Sequence, residues 1–112
     1  MKKFILALTC LAPFSAMAGT EVVPANISGI NVDLRTNPAT LYIMTTSGTW
    51  NSTDANCKSP TYVIVRGGPT IDTKAAQAQL LAAKGLGKKV GFWGISCAGS
   101  DYVETQYIRM VD

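Results

Sequence analysis

Histidine is absent from the 112 residues. That removes the commonest general base and every serine or cysteine triad that depends on it. Charge is also scarce, at 15% of the chain, and close to balanced, with ten basic and seven acidic residues. Lys2 and Lys3 supply two of the positive charges, so the chain beyond them carries a net charge of about +1. No electrostatic footprint for nucleic acid or an anionic membrane is present. No apolar run reaches the ~20 residues that a spanning helix requires. Cysteine occurs three times, at Cys10, Cys57 and Cys97.

The N-terminus has the parts of a secretion signal. Lys2 and Lys3 form a positive start, Phe4 to Leu11 a short apolar run, and Ser15-Ala16-Met17-Ala18 a small-residue cleavage site. A membrane anchor is the competing reading, but Thr9, Cys10 and Pro13 interrupt the run. Lipidation at Cys10 fits less well, because Thr9 precedes it and the apolar run ahead of it is short. The expectation is cleavage between Ala18 and Gly19, leaving residues 19–112 as one small domain in the periplasm or outside the cell.

With Cys10 removed, Cys57 and Cys97 remain in a compartment where disulfides persist. A bridge between them closes a loop of about 40 residues and is worth roughly 3–4 kcal/mol by chain entropy. Free thiols or a metal site are the alternatives. Two cysteines without histidine cannot complete a tetrahedral zinc set.

Period-two alternation over Ile27 to Leu34, with Ile30, Val32 and Leu34 against Asn31 and Asp33, predicts a first strand. Leu41 to Thr46 predicts a second, and Thr61 to Arg66 a third, stopped by Gly67-Gly68-Pro69. Between them Ser47 to Pro60 reads as a long polar loop tied down by Cys57. Lys74 to Lys84 is nearly all strong helix formers, with Thr70 or Asp72 as N-cap and Gly85 as C-cap. Ile71, Ala75, Ala78, Leu81 and Ala82 are expected on its packing face. Val90 to Cys97 predicts a fourth strand bent at Gly91 and Gly94, and Ala98 to Asp101 a turn. Thr105 to Val111 predicts a fifth strand. The order strand, strand, strand, helix, strand, strand is that of a small five-stranded OB-fold barrel, mainly β with one helix. An open antiparallel sheet with one helix on a face is the alternative.

The acidic residues do not suggest catalysis. Asp54 and Asp101 fall in turns, Asp33 on a strand's polar side, and Asp72 at a helix start. A paired-carboxylate site needs a larger cleft than such a domain forms. Gly67-Gly68-Pro69-Thr70 could cradle an anion ahead of the helix, but it lacks a phosphate loop's lysine and spacing, and a turn is the simpler reading. The expectation is a non-catalytic binding module without cofactor or metal. Trp50, in the polar loop with Asn51, Ser52 and Asp54, is either a lid on the core or a platform for a sugar ring. Trp93 reads as core, although Gly91 and Gly94 could leave its face open, and Tyr102 as an exposed aromatic. Trp50, Asn51, Ser52, Asp54 and Tyr102 are therefore the candidate ligand-binding residues.

From Ile71 to the C-terminus the chain resembles the B subunits of the cholera and heat-labile enterotoxin class. Ile71-Asp72-Thr73 opening the helix, Lys89-Val90, Cys97 and Tyr107-Ile108-Arg109-Met110 have counterparts there in order, over about 40 residues. The layout is similar also to the subtilase and pertussis kinds of OB-fold toxin B subunit. The resemblance implies a secreted, disulfide-bonded, ring-forming homo-oligomer, a pentamer, that binds cell-surface glycans for an enzymatic A subunit. The cysteine partner departs from the cholera class, since it is Cys57 here, and no tryptophan follows Cys97. No binding residue is carried over for that reason. A monomeric domain that binds another protein, as inhibitor or assembly factor, is the second functional reading.

Overall fold

The computed structural model describes residues 21–94, 96–99 and 101–111. The expected secretion signal with its cleavage site, and Cys10, lie outside the described residues. None of the described helices is long and apolar enough to cross a membrane.

The domain is mainly β, with one helix and two sheets. In chain order the strands are β1 (Glu21–Ala25), β2 (Ile27–Asp33), β3 (Thr40–Thr45) and β4 (Tyr62–Val65). After helix α1 (Thr73–Leu86) come β5 (Lys89–Trp93), β6 (Ser96–Gly99), β7 (Tyr102–Glu104) and β8 (Tyr107–Val111). One sheet has the order β1-β5-β8, the other β2-β3-β4-β7-β6. All pairings are antiparallel except β4 with β7, which run parallel.

Eight strand segments stand where five strands are expected from the sequence, for two reasons. The alternating pattern begins at Ile27, and β1 lies ahead of it, where Pro24 weakens the strand signal. The expected fourth strand is cut where the chain leaves one sheet for the other, and β7 lies ahead of the expected fifth strand, in residues given no strand by the sequence. Gly94, at φ +66°, separates β5 from β6, and β6 continues through Gly99, into what the sequence suggests is a turn. Between β7 and β8, the Thr105 hydroxyl donates to carbonyls of Trp93 and Tyr107, each at 3.0 Å, and its amide donates to Ile64 at 3.0 Å. Asn26 marks the third crossing, between β1 and β2. Its carbonyl accepts from the Thr46 amide and the Thr45 hydroxyl, and its side chain donates to the Gly87 carbonyl.

Helix α1 is capped by Asp72, whose carboxylate accepts from the Ala75 amide at 3.0 Å. Its C-cap is Gly87, not Gly85. Gly87 takes the left-handed conformation at φ 68°, and Lys88 donates back to the Ala83 carbonyl, so the helix ends at Leu86, beyond the Lys84 that composition suggests. The buried face is Thr73, Ala76, Leu80 and Ala83, rather than the expected Ala75, Ala78, Leu81 and Ala82. Leu80 and Leu81 are adjacent leucines on different faces, and Leu80 is the one turned to β2, β3 and β5, leaving Leu81 54% exposed.

The core lies between the sheets and under the helix. Leu41, Ile43, Val63, Val65, Leu80, Val90, Phe92 and Val103 fill it, with Trp50 and Cys57 contributed by the long loop. Burial of these side chains, each worth about 1.5–3 kcal/mol, is the main force holding the sheets together.

Candidate functional site

The loop containing Trp50 is compact. Trp50 donates its amide to the Pro60 carbonyl and Ser52 donates to Lys58, so its two limbs run alongside each other. At its tip the Asp54 amide is held by the Ser52 hydroxyl and the Asn56 amide by the Asp54 carboxylate. Cys57, buried in this same tip turn with its amide donating to the Asp54 carbonyl, is joined to Cys97 in a disulfide across 40 residues. The loop is fastened to β1 as well, through Val23 to Asn51 and Thr53 to Glu21.

This geometry fixes the roles of the candidate binding residues. Trp50 is 1% exposed, its ring edge-on to Phe92 at 5.2 Å and its indole N–H donating to the Ile43 carbonyl at 3.1 Å. Its faces are covered by the core, so it is a lid and not a platform. Ser52 and Asp54 spend their side chains on the loop's own turns, and Asn51 is exposed beside β1. Tyr102 lies apart from these four, on the larger sheet. The structure therefore does not gather the five residues into one site.

Tyr102 does belong to an aromatic surface. Parity along β4 turns Val63 and Val65 inward and Tyr62 outward, and β3 likewise turns Leu41 and Ile43 inward and Tyr42 outward. Tyr62 is directly paired with Tyr102 across the parallel β4/β7 contact. Their rings stack at 5.5 Å and 19°, and Tyr42 meets Tyr62 edge-on at 6.0 Å. Three tyrosines thus run in series across the outer face of the sheet, with Tyr102 37% exposed. At the margin Arg66 pairs with Glu104, Nε to Oε1 at 2.7 Å, and this bond raises the arginine's pKa.

A second aromatic pair stands on the smaller sheet. Trp93 follows Phe92, which is buried, and so points outward, contrary to the core position expected for it. It is 39% exposed and meets Tyr107 at 5.5 Å. The pair borders a shallow cavity of about 460 Å³ that also takes in Glu21, Pro24, Gly91 and Arg109.

Sequence reasoning missed Tyr42, Tyr62 and Tyr107 as surface groups. The parity of Tyr62 against Val63 and Val65 carries the signal for one of them, but alignment of the rings depends on strand register. The Gly67-Gly68 segment is a turn, with Ile71 donating to the Gly68 carbonyl and the Gly67 amide donating to the Thr40 hydroxyl. Among the described residues no group of three or more cysteine, aspartate or glutamate side chains is placed to hold a metal ion.

Comparison with family models, with curated proteins and with solved structures found no match to this chain.

Proposed function

We propose that this protein is an exported, non-catalytic binding subunit that reads a glycan with the tyrosine face of its larger sheet. The observation that carries the reading is the series Tyr42, Tyr62 and Tyr102. A sugar ring offers an apolar C–H face that lies well on a tyrosine ring, and hydroxyls that suit neighbouring polar groups. Asn31, paired opposite Tyr42, and the Arg66–Glu104 pair are such groups.

The finer fold reading is an OB-type barrel, in which β1–β2, β5–β6 and β7–β8 act as three long bent strands beside β3 and β4. Its support is the pairing order, including the parallel β4/β7 contact and the β1/β5 contact that links the ends. In such barrels the second and third strands form the ligand face, which corresponds to β3 and β4, where Tyr42 and Tyr62 stand. A ring-forming homo-oligomer serving an enzymatic A subunit belongs to the same proposal. Its support is the outer helix face of Ala75, Ala78, Leu81 and Ala82, small enough for close contact with a neighbour.

A glycan array probed with the chain lacking residues 1–18 tests the reading. Tyr62→Ala and Tyr102→Ala are expected to abolish retention on the sugars the parent protein binds while preserving a cooperative thermal transition. Full retention by both variants overturns it. Light scattering tests the assembly: a pentamer supports the ring, whereas a monomer favours the protein-binding role and pull-downs from the periplasm.

A further inference from the structure

We infer that the groove on the smaller sheet is a binding site for a zwitterionic ligand carrying a quaternary ammonium and a phosphate, namely the phosphocholine group. This inference does not rest on the glycan reading, because it uses other residues on the other sheet.

The groove is built around β5, whose alternate residues Lys89, Gly91 and Trp93 share its outer face, with Gly91 buried there under Pro24, while the Val90 and Phe92 side chains enter the core. Register places Glu21 on one side of Trp93 and Tyr107 on the other, and Arg109 beside Gly91. At the Trp93 end, two exposed rings meet at 68° and border the cavity, with Glu21 lining it from the neighbouring strand opposite Trp93. Aromatic faces at an angle next to a carboxylate are the chemistry that holds a quaternary ammonium, through attraction to the ring quadrupoles and contact with its methyl groups. One step along the strand, about 6.7 Å away, the sign of charge reverses. Arg109 and then Lys89 stand there, and guanidinium is the side chain best matched to phosphate oxygens.

Among the described residues, Glu21, Lys89 and Arg109 form no ion pair with one another or with any other group. Their charges are available to a ligand. Between the two ends the floor is apolar, because the Pro24 ring occupies the space over Gly91. A Cβ at position 91 would lie 2.9 Å from the Pro24 Cγ. A choline phosphate, with its ammonium and phosphate joined by two carbons, can meet both ends together. An α-amino acid, with its charges on one carbon, is too short to do so.

Calorimetric titration of the signal-free protein with phosphocholine is the first experiment, with choline and inorganic phosphate as separate controls. Expected is one site, bound at least tenfold more tightly by phosphocholine than by either control, with saturation transfer in NMR from the aromatic rings to the choline methyls. Trp93→Ala and Arg109→Gln should each weaken binding at least tenfold. The Arg109 side chain forms no ion pair among the described residues, so Arg109→Gln keeps the test valid if Trp93→Ala fails to fold. Absence of binding at millimolar phosphocholine, or equal affinity in parent and Arg109→Gln proteins, overturns the inference. Co-sedimentation with phosphatidylcholine vesicles, against phosphatidylglycerol vesicles, identifies the source. Given binding of the soluble group, retention on the former assigns a lipid headgroup, and no retention assigns phosphocholine carried on another molecule.

Discussion

Trp50→Ala separates the structural from the binding role of the loop tryptophan. The indole is 1% exposed, packs edge-on against Phe92 and satisfies the Ile43 carbonyl. Removing it opens a cavity between the sheets, and truncation of a buried tryptophan costs about 3–5 kcal/mol. A domain of this size is stable by roughly 5–14 kcal/mol, so the variant should fold but lose a large fraction of its margin. With a urea m-value of about 1–3 kcal/mol/M, the midpoint should fall by about 1–5 M at unchanged m. Trp50→Phe keeps most of the volume and loses chiefly the hydrogen bond, which is worth about 1–2 kcal/mol, so its midpoint should fall by less than half as much. Below their midpoints both variants should retain whatever ligand the parent binds. A Trp50→Ala midpoint within 0.3 M of the parent's, or loss of ligand by a fully folded Trp50→Phe protein, would refute the assignment of Trp50 to the core (the threshold being about 0.5 kcal/mol on the same m-value).

Three further expectations follow from other parts of the fold. Replacing Cys57 and Cys97 together by alanine should lower stability by about 4 kcal/mol, the chain entropy of a 40-residue loop; unfolding curves of parent and variant measured under oxidising conditions check this, and equal midpoints would mean that the bridge is not formed. Gly67→Ala should be far more damaging than Gly85→Ala, because a Cβ at 67 runs into the Pro38 carbonyl whereas one at 85 meets open space; a thermal shift for Gly85→Ala as large as that for Gly67→Ala would contradict the placement of the Gly67 segment. Asp33 accepts two side-chain bonds and one backbone bond from Arg35, which hold its carboxyl pKa below the usual 3.8. The folded-state pKa is depressed, so any stabilisation from the pair is present above the unfolded value and lost as pH falls through the folded one. NMR titration should show an Asp33 midpoint below 3.8 that returns towards 3.8 in Arg35→Ala.

Local chemistry made much of this fold legible. Alternation of Ile30 and Val32 with Asn31 and Asp33 marks β2, strand-favouring residue types stopped by Gly67-Gly68-Pro69 mark β4, and composition marks α1 because nothing between Lys74 and Lys84 opposes a helix. Asp72 is one of two caps the sequence offers, beside Thr70, and Cys57 and Cys97 form the expected pair once Cys10 is assigned to the signal. The helix face was not legible, since alanines occur on both sides of α1 and only the tertiary position of Leu80 distinguishes them. Trp50 gave no signal either way, because a loop has no period to say which side of it is inside. The crossings at Asn26, Gly94 and Thr105 depend on hydrogen bonds between residues far apart in sequence, such as Thr105 to Ile64. Strand parity could have shown Trp93 outside, opposite Phe92, but its glycine neighbours favoured the core reading.

The distribution of aromatic rings is what turns this small domain into a binding protein in our reading. Seven aromatic residues lie between Tyr42 and Tyr107. The core accommodates one pair, Trp50 with Phe92, and the other five stand on the two outer faces. Scattered apolar groups on a surface need no explanation, whereas contiguous ones mark sites of interaction. Here each of the five touches another ring: Tyr42, Tyr62 and Tyr102 on one sheet, Trp93 and Tyr107 on the other. The polar groups beside them differ, and so must the ligands. Arg66 is already paired with Glu104 beside the tyrosines, which leaves a nearly neutral face suited to an uncharged sugar. Among the described residues Arg109 and Glu21 form no ion pair beside the Trp93 corner, which favours a ligand bearing both signs of charge. Tyr62→Ala and Arg109→Gln should therefore impair different ligands, and a single variant that abolished both would mean that the two faces form one site.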